Sequence, residues 1–212
     1  MDAVFLLFPE MTPLDAVGPY EVLKRVPGTT VKFVAKEPGE QKAEDHDLGL
    51  VADLSFEDVK SADVLVIPGG LGTRKLIHDK ATLKWIREID ETSEWTTSVC
   101  TGSLLLAAAG LLENRPATTH WLEMDLLAEL GADATKERVV RDEKYVTSGG
   151  VSAGIDMAIM LVSLMHDDTL AMAMQLAIEY DPHPQFDAGS PNTAPPELVE
   201  LVRAAAKMRQ PS

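Results

Sequence analysis

The chain has 212 residues, 45% of them hydrophobic and 25% charged, a balance that fits one compact globular domain and excludes disordered, collagen-like and low-complexity classes. Its 19 Lys and Arg stand against 34 Asp and Glu, a formal net charge of −15, so no nucleic-acid or anionic-membrane partner is expected: such surfaces are bound by clustered cations. Cys100 is the single cysteine, which excludes an intrachain disulfide and any centre needing two thiolates and points to a reducing compartment.

The first nine residues lack the basic start and small-residue cleavage site of a signal peptide. No run approaches the roughly 18 apolar residues of a membrane span, so the protein is expected in the cytoplasm. The wholly apolar run 3–8 reads as a strand buried on both faces, and 30–36 and 62–68 repeat the type. Helical patterns lie between them, at 13–24 and 76–91. A fourth buried strand, 95–99, runs into Cys100-Thr101-Gly102-Ser103 and a helix over 104–112. A helix over 122–130, a hairpin over 138–147 with Asp142-Glu143 at its tip, and helices over 155–165 and 168–180 follow. Strands alternating with helices predict an α/β fold with a mostly parallel sheet. The whole chain, 1–212, reads as one domain. Its last part, 181–212, is a Pro- and Gly-rich arm with a helix over 197–208.

A buried strand ending in a nucleophile, then small residues and a helix, is the layout of a nucleophile elbow. Such a turn lifts the side chain above the carboxyl edge of the sheet, and the helix N-terminus is expected to favour thiolate over thiol. A free cysteine is more commonly just a small buried apolar residue, but such a residue has no reason to end a strand before a glycine-bearing turn. Asp15 lies just beyond the first strand. With Thr12 as N-cap and Pro13 at the first helical position it could be a capping-box carboxylate. If the first and fourth strands are neighbours, it instead hangs over the same edge as Cys100 as a proton donor. Gly69-Gly70-Leu71-Gly72 after the third strand could turn N–H groups toward that edge, although glycine-rich turns are common. Thr101 follows the cysteine. His120 reads as a structural histidine, and His46, His78, His166 and His183 have no metal-ligand spacing, so no metal is expected.

Phe5-Leu6-Leu7-Phe8-Pro9, Leu14-Asp15-Ala16-Val17-Gly18-Pro19, Ile67-Pro68-Gly69-Gly70, Thr97-Ser98-Val99-Cys100-Thr101-Gly102-Ser103 and Ala117-Thr118-Thr119-His120-Trp121 together resemble the ThiJ/PfpI superfamily over nearly the whole chain. The resemblance implies a flavodoxin-like, class I glutamine-amidotransferase-like fold with helices on both faces of the sheet, in a homodimer. Residues 99–103, 137–142, 153–156 and 186–191 are most similar to its isocyanide-hydrating members. Many other members carry histidine and glutamate where Thr101 and Asp15 stand here.

Carried onto this chain, the resemblance implies Cys100 as nucleophile, Asp15 as acid and base, and Thr101 as a hydrogen-bonding partner near the thiol. The Gly70–Leu71 backbone would complete the pocket, Trp121 and Phe186 would be apolar candidates for its lining, and Val151 would open a helix behind the cysteine. It implies a small isocyanide substrate and no cofactor. Two alternatives share these residues: a glutathione-independent glyoxalase or deglycase, and a stress sensor in which Cys100 is oxidised without turnover. A transcription regulator would need a helix-turn-helix extension, for which nothing after Pro195 is long enough.

Overall fold

The computed structural model describes residues 1–209, in two compact units, Met1–Ile178 and one that begins at Glu179. In chain order the first unit holds β1 (Asp2–Leu6), α1 (Pro13–Leu23), β2 (Thr30–Ala35), β3 (Gly39–Lys42), β4 (Gly49–Ala52), β5 (Leu54–Ser55) and β6 (Val64–Ile67). There follow α2 (Thr73–Leu76), α3 (Lys80–Asp90), β7 (Trp95–Val99), α4 (Gly102–Ala108), β8 (Pro116–Ala117), a 3-10 turn (Trp121–Glu123) and α5 (Met124–Glu129). The unit closes with β9 (Asp133–Ala134), β10 (Val139–Asp142), β11 (Tyr145–Ser148), α6 (Ala153–Met165) and α7 (Asp168–Ala177).

Seven strands form one sheet in the order β10-β11-β7-β6-β1-β2-β5, parallel except for the antiparallel β10–β11 pair. The apolar runs occupy its middle, as expected for strands covered on both faces: all four residues of β6 and all five of β7 are buried. α1 packs against α6 and α6 against α7, while α3 packs against α4. The fold is α/β with a mostly parallel central sheet.

The order corrects one expectation. β1 and β7 are not neighbours, because β6 lies between them, so Asp15 reaches the end of β7 across the turn that follows β6.

Local chemistry moves several boundaries. The helix read over 76–91 is two: Leu76 belongs to α2, and α3 starts afresh after Asp79, whose side chain accepts from the Ala81 N–H. α4 ends at Ala108, ahead of Gly110 at φ +81°. α7 stops at Ala177, short of Tyr180, ahead of Glu179 at φ +51°. The β3–β4 hairpin, a separate antiparallel pair, has no counterpart among the elements read from the sequence.

In the second unit α8 (Pro196–Arg209) follows an irregular segment and carries exposed Leu198, Leu201 and Val202. Phe186 is 71% exposed. Of the arm expected over 181–212, residues 210–212 lie outside the described residues. No helix among the described residues is long and apolar enough to cross a membrane.

The turn out of β7 runs against the turn out of β6 with no room for a side chain. A Cβ at Gly102 would lie 2.1 Å from the Ile67 carbonyl oxygen and 2.8 Å from that of Pro68, and backbone cannot move aside as a flexible side chain can. Gly102→Ala is therefore expected to lower stability by about 1–3 kcal/mol, read as a lower denaturant midpoint. An unchanged midpoint would mean that the two turns are not in contact.

Candidate active site

β7 ends at Val99, and Cys100 takes φ +56°, a left-handed conformation unusual for a residue with a side chain. Hydrogen bonds hold it there. The Cys100 N–H donates to both Ser148 O (3.1 Å) and Gly149 O (3.0 Å). Its carbonyl accepts from Thr119 Oγ1 at 3.0 Å and Ser103 Oγ at 3.3 Å. Gly69 completes the close fit from the β6 side, since a Cβ there would lie 2.5 Å from Thr101 N and 2.9 Å from Cys100 Cβ. Strand, strained residue and helix reproduce the elbow layout.

Asp15 lies in the first turn of α1 and is fully buried. The capping alternative is not realised: Thr12 makes no side-chain cap bond, and its hydroxyl donates instead to Glu44 Oε1 at 3.1 Å. Asp15 Oδ2 accepts from the Gly69 N–H at 3.0 Å. Its Oδ1 is buried without a hydrogen-bond partner of regular geometry, and the carboxyl interacts with the Cys100 thiol. Burial pushes the Asp15 carboxyl up to about 7, against the Gly69 N–H and the thiol, which pull it down; the negative charge of Glu44 pushes it up further.

Cys100 corrects a second expectation. Burial, followed by the charge of Asp15, holds the thiol well above its ordinary range; the N–H groups of Thr101 and Val151 and the Thr101 hydroxyl oppose them without prevailing. The helix N-terminus alone does not yield a thiolate, because desolvation outweighs it. Deprotonation of the pair therefore begins at the carboxyl, which can then act as base toward the thiol.

The N–H groups of Gly70 and Leu71, expected to turn toward the pocket, already have partners. Gly70 N donates to Thr101 Oγ1 at 2.9 Å and Leu71 N to Glu44 Oε1 at 3.0 Å. Thr73 Oγ1 donates to Gly70 O at 2.8 Å, and Thr101 Oγ1 donates to the same oxygen at 3.2 Å. The Thr101 hydroxyl also acts on the Cys100 thiol, so its single proton is shared between the Gly70 carbonyl and the sulfur.

Val151, whose N–H acts on the thiol, sits at φ +40°, a strained value for a β-branched residue. It precedes α6 rather than opening it. Gly150 before it lies against His120, where a Cβ would come 2.4 Å from the ring Cδ2. His120 Nδ1 accepts from Leu122 N at 3.3 Å; burial and the nearby Arg74 lower its pKa. Trp121 is half-buried, its ring 5.9 Å from that of His120. Arg74 pairs with Glu123, joining α2 to the same 3-10 turn.

Asp15, Cys100 and Thr101 thus come together around the β6–α2 turn, while Phe186 belongs to the other unit. Thr73 and Glu44 were missed. Thr73 had a faint signal, a hydroxyl just after the glycine turn; Glu44 had none, because its approach depends on long-range pairing.

The sequence profile of the DJ-1/PfpI family matches residues 1–164. The chain belongs to the DJ-1/PfpI family. It is 45% identical to an isonitrile hydratase of Pseudomonas putida, across 95% of this chain and 88% of that protein. It is 29% identical to the HTH-type transcriptional regulator CdhR of Pseudomonas aeruginosa, over 81% of this chain but only 52% of the regulator. A ThiJ/PfpI family protein from Pseudomonas syringae has a crystal structure that matches with a TM-score of 0.93 and 37% identity, covering 98% of this chain and 87% of that one.

The raised carboxyl makes stability depend on pH. In the unfolded chain Asp15 ionises near 3.8, but in the folded chain it keeps its proton to about 7. Between these values the folded state binds the extra proton, so this group's effect becomes more destabilising as pH rises and is complete above 7. Asp15→Asn should therefore raise unfolding free energy by a few kcal/mol near pH 8, with the gain fading toward pH 4. Denaturant titrations of both proteins across that range test it. A difference independent of pH would show that the carboxyl is not held protonated.

Proposed function

We propose that this protein hydrates organic isocyanides to N-substituted formamides, with Cys100 as nucleophile, Asp15 as acid and base, and Thr101 orienting the reacting groups. The observation that carries this reading is the likeness to a named isonitrile hydratase along nearly the whole chain. The buried carboxyl–thiol pair supplies chemistry suited to it.

The terminal carbon of R–N≡C accepts both a nucleophile and a proton. The Asp15 carboxylate takes the Cys100 proton as sulfur bonds to that carbon, then delivers it to the same carbon, giving the thioimidate R–N=CH–S–Cys100. Asp15 next removes a proton from water as the oxygen adds to this carbon and passes that proton to the nitrogen, giving R–NH–CH(OH)–S–Cys100. Collapse to R–NH–CHO breaks the C–S bond and returns the proton to sulfur. One water is consumed and the enzyme is regenerated. Thr101 donates toward the sulfur while it carries negative charge. Trp121 is the proposed apolar wall for R. On the same family likeness, the proposed working form is a homodimer in the cytoplasm.

The active pair holds one proton. Below about pH 7 Asp15 is protonated as well, so kcat/KM should fall by about tenfold per pH unit on the acid side. Conversion of an aryl isocyanide to its formamide, followed by ultraviolet absorbance, tests the reading. Saturable turnover is expected in the wild type and none above background in Cys100→Ala. Asp15→Asn should lose roughly 100-fold or more, with circular dichroism confirming that each variant is folded. Failure of folded wild type to convert the isocyanide overturns the hydratase reading. The alternatives would then be separated by lactate formation from methylglyoxal and by peroxide titration of Cys100.

A further inference from the structure

Glu44 lies between β3 and β4, outside the seven-stranded sheet, yet backbone pairing carries it to the site. The Glu10 N–H donates to Lys42 O at 2.7 Å, and Met11 bridges Ala43 on one side and Gly70 on the other. The Thr12 N–H donates to Gly69 O at 2.9 Å. The segment leading into α1 is therefore laced between the hairpin and the glycine turn. The Glu44 carboxylate closes this arrangement: Oε1 accepts from the Thr12 hydroxyl at 3.1 Å and from the Leu71 N–H at 3.0 Å. Two loops meet at this one oxygen, one entering the helix that bears Asp15 and the other leaving the strand whose turn binds it.

We infer that Glu44 is a positioning residue for Asp15, clamping the loops on either side of the acid and fixing a negative charge close to it. Its effect on turnover rests on the hydratase reading; its effect on the carboxyl–thiol pair does not. The groups acting on Asp15 are few. The β6–α2 turn supplies the Gly69 N–H, the β7–α4 junction the Cys100 thiol, and the hairpin the Glu44 carboxylate. α6 meets α1 through Ile155 at Gly18 and Gly154 at Pro19, and its Asp156 is paired with Arg138. Glu10, on the same entry segment, is paired with Lys75.

Glu44→Gln keeps an acceptor for both donors and removes the charge. With less repulsion, Asp15 should ionise at lower pH, so the pair reaches its one-proton state earlier as pH rises. Two rates are measured from about pH 5 to pH 9: kcat/KM for an aryl isocyanide, and alkylation of Cys100 by iodoacetamide, counted by mass. The acid limbs of both should move down by about half a pH unit. A folded variant whose limbs do not move overturns the inference, whatever happens to its overall rate. Glu44→Asp, which draws the charge back, is read in the same way if Glu44→Gln does not fold. If the alkylation limb moves but wild type converts no isocyanide, the hydratase reading fails and the role of Glu44 stands. Turnover with both limbs unmoved gives the opposite result.

Discussion

A carboxyl and a thiol buried against each other cannot readily share more than one negative charge, and the architecture of this site is arranged around that restriction. Desolvation raises both groups, and the few donors present are divided between them. Gly69 N–H serves the carboxyl; Thr101 N–H, Val151 N–H and the Thr101 hydroxyl serve the sulfur. The result is a single mobile proton in a site closed to most of the solvent, where electrostatic interactions are stronger than in water. Backbone strain at Cys100 is sustained because the surrounding hydrogen bonds over-determine it.

The β6–α2 turn organises these parts. Gly69 binds the acid and lies beneath the nucleophile, Gly70 binds Thr101, and Leu71 binds Glu44. β6 stands between the strands that lead to Asp15 and Cys100, so its turn is where both side chains can be addressed by one backbone segment. This is a compact form of the general tendency of parallel sheets to place chemistry at the carboxyl ends of their strands.

Much of this was legible in the chain itself. The apolar runs at β1 and β6 announced central parallel strands, because a strand covered on both faces need not alternate. Cys100 before Gly102 announced a tight turn, and Asp15 stood at the right edge. Strand order was not legible: 3–8 and 62–68 carry equivalent apolar signals, 95–99 reads as a further buried strand, and nothing in them says which lies between the others. The β3–β4 hairpin escaped because its polar residues follow neither period strongly. The charge state of Cys100 escaped for a different reason. A helix start is visible in sequence, but the degree of burial that outweighs it is a property of the assembled fold.

The site also divides its parts between regions under unequal constraint. Asp15 and Cys100 sit in α1 and at the end of β7, where neighbouring positions are fixed by core packing. Glu44 is carried by a hairpin that pairs only with itself as a sheet and exposes Leu48 and Val51. Sequence drift at the exposed positions of the hairpin can therefore change the surroundings of the acid without repacking the core. For lineages built on this scaffold, the solvent-facing positions of the hairpin are where new proton-transfer behaviour could be explored while the two reacting residues stay in place.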